Sequence, residues 1–83
     1  MPRYFFHVRD GTGVAQDEDG RELANVELAR SEALKGVRSI ISDEVKRGLI
    51  DLRGEVTVTD RAGAVLLRVR FEEAVELRLE GEA

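Results

Sequence analysis

The stretch Asn25-Val-Glu-Leu-Ala-Arg-Ser-Glu-Ala-Leu-Lys-Gly-Val-Arg-Ser-Ile-Ile-Ser-Asp-Glu-Val-Lys-Arg-Gly48 decides the fold. Val26, Ala29, Ala33, Val37, Ile40 and Ile41 recur with the 3.6-residue period of one helix face; Val45 extends the stripe and Leu34 lies at its edge. Asn25 suits the N-cap, where its side chain accepts an orphan N–H, and Glu27 favours the positive end of the helix dipole. Lys46 and Arg47 complement the negative end, Gly48 suits the left-handed residue after it, and Leu49 suits the apolar contact of a Schellman motif. Gly36 costs about 1 kcal/mol relative to Ala inside a helix. It is expected to mark close approach of a strand or a second helix.

Outward from the helix the period changes to two. On the N-terminal side, Tyr4, Phe6 and Val8 alternate with Arg3, Phe5, His7 and Arg9. Asp10-Gly11-Thr12-Gly13 reads as a turn, and a return strand is expected at about Val14–Asp17. Asp17-Glu18-Asp19-Gly20 is a second turn, from which Arg21-Glu22-Leu23 leads out extended. On the C-terminal side, Val56 and Val58 oppose Glu55, Thr57 and Thr59. Asp60-Arg61-Ala62-Gly63 then reads as a type I turn. Val65, Leu67, Val69 and Phe71 alternate with Leu66, Arg68 and Arg70. The acidic tail, residues 72–83, admits two readings: Val75, Leu77 and Leu79 suit another strand, whereas Glu72-Glu73-Ala74 suits a helical turn.

Together these elements give an α+β fold, a two-layer ββαββ arrangement in which one amphipathic helix covers one face of an antiparallel-rich four-stranded sheet. The expected core is Tyr4, Phe6, Val8, the helix stripe, Val56, Val58, Val65, Leu67, Val69 and Phe71. Residues 1–83 form a single small domain, with the core in 2–71. The chain has 83 residues, 13 basic and 17 acidic side chains, a formal charge of -4, one His and no Cys. Without Cys there is no disulfide framework, thiolate zinc site or thiol nucleophile. The N-terminus lacks the apolar run of a signal peptide, and no run approaches the roughly 20 residues of a membrane span. A soluble, cytoplasmic protein is therefore expected.

The residues Tyr4-Phe5-Phe6-His7-Val8-Arg9-Asp10-Gly11 resemble the opening of a family of short bacterial proteins of unknown function, whose members begin Tyr-Phe-Phe-His-Val-x-Asp-Gly. Asp17-x-x-Gly20-x-Glu22-Leu23, Ala29-x-x-x-Ala33, Val58-x-Asp60-x-x-Gly63, Phe71 and Ala74-Val75 extend the resemblance over nearly the whole chain. The sequence departs from it in having no Trp before the third strand. The resemblance implies a fold and transfers no site. Over about half its length the arrangement also resembles the partial RNase-H-like domain of HicB-type antitoxins.

Three constellations bear on function. Arg3, Phe5, His7 and Arg9 share a sheet face with Arg68 and Arg70, and basic residues interleaved with aromatics suit single-stranded nucleic acid. The competing reading is a face that is solvated, covered by the acidic tail, or buried in a dimer. Eleven of the 13 basic residues are Arg, which suits interfaces as well as phosphates. The run Asp17-Glu18-Asp19-Gly20-x-Glu22 lacks the spacing of a calcium loop and reads as a charged turn, so no metal site is expected. His7 has no nucleophile signature beside it, so no catalytic residue and no cofactor are expected. A chain this short buries only about 60–65% of its unfolded surface, and its sheet edges stay open. The expectation is a non-catalytic protein-interaction module acting as a homodimer, with a protein partner. A small nucleic-acid-binding or HicB-antitoxin-like regulator using the Arg/Phe/His face is the alternative.

Overall fold

The computed structural model describes residues 1–81. Strand β1 (Arg3–Asp10) turns into β2 (Gly13–Ala15); after a loop come the two-residue β3 (Arg21–Glu22), α1 (Val26–Lys46), β4 (Glu55–Thr59) and β5 (Val65–Arg70). Every pairing is antiparallel, in the order β2-β1-β4-β5, with β3 also on β1. β2 pairs with Val8–Asp10 and β3 with Arg3 and Tyr4, one after the other along the side of β1 away from β4. The sheet thus has five strands, because the extended segment after the second turn pairs as β3. β2 stops at Ala15, short of the expected Asp17, because the Asp17 side chain takes over from its backbone as the partner of β1.

The helix begins and ends as its sequence dictates. Asn25 Oδ1 accepts the Leu28 N–H at 3.0 Å. Leu49 N–H donates to Glu44 O and Gly48 N–H to Val45 O, the two bonds of a Schellman motif, with Gly48 at φ +85°. Ala29, Ala33, Val37 and Ile41 are buried against Tyr4, Val56, Val58, Val69, Phe71 and Ala74. Phe6, Val8, Leu34, Ile40 and Leu67 pack around this cluster, half-buried. Val26 and Val45, the first and the next-to-last residues of the 21-residue helix, leave the expected stripe and are exposed. Val65 is also exposed, against expectation. The register slips between Val58 and Thr59, so Thr59 pairs with Val65 and Leu66 is the additional residue of a bulge.

Two glycines behave differently. Gly54 is required: a Cβ there would lie 2.8 Å from the Phe71 ring and 2.8 Å from Arg9 O. Phe71 N–H donates to Gly54 O at 2.9 Å, which clamps the ring over that residue. Gly36, by contrast, has nothing within 4 Å of the position of a Cβ. Among the described residues no strand or second helix approaches it closely, which corrects the sequence reading.

Of the two readings of the tail, the turn is the one observed. A single 3-10 turn spans Phe71–Glu73, and Glu73 Oε1 accepts the Arg70 N–H at 3.0 Å. Arg38 Nε donates to Ala74 O at 2.7 Å, and Arg30 pairs with Glu73 at 3.2 Å, so the helix holds the start of the tail. Val75 packs on the core, whereas Leu77 and Leu79 are exposed and no strand follows β5 among the described residues. Residues 82–83 of the acidic tail lie outside the described residues.

Candidate functional site

Strand alternation sends the odd-numbered residues of β1 to the face away from the helix, and antiparallel register sets them in rows across β4 and β5. Arg9, Glu55 and Arg70 form one row; His7, Thr57 and Arg68 form the next; Phe5, Thr59 and Val65 form the third. Arg3 stands at the end, beside Glu22. All six residues singled out by the sequence, Arg3, Phe5, His7, Arg9, Arg68 and Arg70, therefore share one face.

The arginines do not present bare charge. Glu55 Oε1 lies 3.4 Å from Arg9 and 3.7 Å from Arg68, so one carboxylate serves two guanidinium groups. Arg70 pairs with Glu72 at 2.8 Å, and Arg3 pairs with Glu22 at 3.3 Å while donating to Asp19 O. Exposed pairs of this kind are worth about 0–1 kcal/mol each, so they dilute the field of the face more than they fix its geometry. Phe5 is not a free stacking platform either. The loop crosses its edge, where a Cβ on Gly20 would fall 2.9 Å from the ring.

His7 sits at the centre of this face with both ring nitrogens engaged. Asp17 N–H donates to Nδ1 at 3.1 Å, which places the ring proton on Nε2, from which it is donated to Thr59 Oγ1 at 3.0 Å. A histidine that activates a hydroxyl must accept from it. Here the polarity is reversed, so His7 and Thr59 pin β1 to β4 and do not form a nucleophile and its base. Among the described residues, no group of three or more His, Cys, Asp or Glu side chains is placed to hold a metal ion.

Asp17 turns the charged loop back onto the sheet. Its carboxylate accepts the N–H groups of Gly20 at 3.0 Å, Phe6 at 3.1 Å and Asp19 at 3.2 Å. Burial pushes the group towards its neutral form, but the three donors, with His7 nearby, outweigh burial and hold its pKa below the usual carboxylate value. The sequence reading identified this charged turn and missed the bond to Phe6. An acid six residues after the turn glycine Gly11 is the only hint the sequence carries.

Between this loop and α1 lies a groove of about 410 Å³, floored by Phe6, Val8, Ala33 and Ile40 and open at Gly36. An ion pair between Arg21 and Glu32 stands at its mouth.

A family model described as a domain of unknown function, DUF6894, matches residues 3–72. The chain belongs to the DUF6894 family. No curated protein and no solved structure matches it. The DUF6894 match spans every strand and the helix, and it ends within the 3-10 turn, so Leu77 and Leu79 lie beyond it. No helix of this DUF6894 domain is long and apolar enough to cross a membrane.

Proposed function

We propose that this DUF6894 domain is a non-catalytic protein-interaction module that acts as a homodimer in the bacterial cytoplasm. The observation that carries the reading is the unpaired edge of β5. Among the described residues, Val65–Arg70 pair with β4 on one side only, and Val65 and Leu66 leave apolar side chains exposed beside that edge. A strand edge is a row of unmet donors and acceptors that pairs readily with another chain, and a small core gains from covering it. The reversed polarity of the His7–Thr59 bond supports the non-catalytic part. Sedimentation equilibrium of the full chain over a wide concentration range tests it: a dimer is expected, and a monomer at every concentration refutes it.

A second reading has one observation in its favour, the convergence of Arg3, Phe5, His7, Arg9, Arg68 and Arg70 on one face. On that reading the domain is a small nucleic-acid-binding or HicB-antitoxin-like regulator. Binding to a single-stranded oligonucleotide must then fall steeply with salt and weaken in an Arg68→Glu/Arg70→Glu double variant. The ion pairs across this face and the loop against Phe5 place this reading second.

A further inference from the structure

We propose that residues 76–79 of one copy pair as a short antiparallel strand along the free edge of β5 in a second copy, with the exchange made in both directions. This inference rests on the homodimer reading and names the segment that covers the edge.

The tail has the period of a strand without a sheet to join. Leu77 and Leu79 alternate with Glu76, Arg78 and Glu80, and the two leucines are 55% and 58% exposed. Such alternation buries one side and solvates the other only when a neighbouring strand is present. The root of the segment is already fixed. Ala74 O accepts from Arg38, Glu73 is paired with Arg30, and Val75 rests on the core. These contacts tie the turn to the helix and give residues 76–79 a firm base. Preorganisation of this kind lowers the ordering cost of association.

One antiparallel register satisfies both strands. It sets Glu76 opposite Arg68 and Leu77 opposite Leu67, up to the bulge at Leu66, beyond which Leu79 runs beside the exposed end of the strand. Charge meets opposite charge at Glu76 and Arg68, and Leu77 meets Leu67 on the helix-covered side. A slip of one residue would turn the leucines to the arginine side. Direct pairing of two β5 edges is less favourable, since it gathers Arg68 and Arg70 of both copies on one face, where like charges across strands repel. The bond that Glu76 gives up is its exposed pair with Arg78 at 3.1 Å, a weak one.

The test is sedimentation velocity on full-length variants, each checked for folding by thermal unfolding. Leu77→Asp/Leu79→Asp changes only exposed side chains, and the dimer is expected to weaken about tenfold, in line with the loss of the apolar Leu77–Leu67 cross-strand pair and the burial of Leu79. Glu76→Lys and Arg68→Glu should each weaken the homodimer, and an equimolar mixture of the two should restore association, because both exchanged pairs are then complementary. A wild-type monomer overturns this inference together with the homodimer reading. A dimer unchanged by Leu77→Asp/Leu79→Asp and by Glu76→Lys overturns the tail exchange and leaves the homodimer standing.

Discussion

The Asp17 carboxylate accepts the Phe6 N–H at 3.1 Å, at a point on β1 between β2 and β3 where no strand backbone is paired. A side chain thereby completes the ladder, and it also ties down the Asp19 and Gly20 N–H groups. Asp17→Ala strips one partly buried donor and two loop donors of their acceptor. The expected loss is about 2 kcal/mol, and urea unfolding should show a lower midpoint with an unchanged slope.

The same carboxylate makes stability depend on acid. Its pKa is depressed in the folded state from a reference of 3.8, so the folded protein prefers the ionised form more than the unfolded chain does. The stabilisation is complete above the reference value and disappears as pH falls through the lower, folded value. Glu73, held down by the Arg70 N–H and then by Arg30, shifts in the same direction. Melting temperature should therefore drop as pH falls below 3.8, and Asp17→Asn should flatten part of that drop.

Gly54→Ala should destabilise by roughly 1–3 kcal/mol, the range for overpacking a filled site. The added methyl meets the Phe71 ring and Arg9 O at 2.8 Å, and neither is the yielding end of a flexible chain. Pairing it with Phe71→Leu should recover part of the loss in the same unfolding assay.

Gly36→Ala should do the opposite. Its methyl enters open groove, and a helical alanine is favoured by up to about 1 kcal/mol. A raised denaturation midpoint is the expected result; a fall would mean that the groove is closed in solution.

Thr59→Val removes the acceptor of His7 Nε2–H at a residue only 7% exposed. The cost should be about 1 kcal/mol. Long-range nitrogen–proton spectra of the wild type should show the neutral ring protonated at Nε2, because Nδ1 accepts from Asp17.

Much of the fold can be read from the chain because the deciding signals are local. The Ala29–Val37–Ile41 stripe, the Asn25 cap, the Gly48 terminus and the Asp60–Gly63 turn each act within a few residues. The placement of the six face residues follows from alternation alone. What escaped depends on contacts between distant segments. Gly54 matters only because Phe71 crosses it, Glu55 neutralises two arginines only through register, and Asp17 closes the β1 edge only once the loop has folded back. Gly36 misled for the same reason: its local cost is legible, while the empty space beside it is a property of the assembled layers.

The Asp17 bond to Phe6 finally gives the sheet a handed capacity for growth. One margin is broken into β2, a carboxylate and β3, and offers no continuous run to a newcomer; the β5 margin offers six residues. Chains with two adhesive margins can polymerise without limit, whereas a chain with one is spent after a single partner. Asp17 thus acts as a terminator as well as a staple, and its loss would expose the molecule to fibre formation as well as to unfolding.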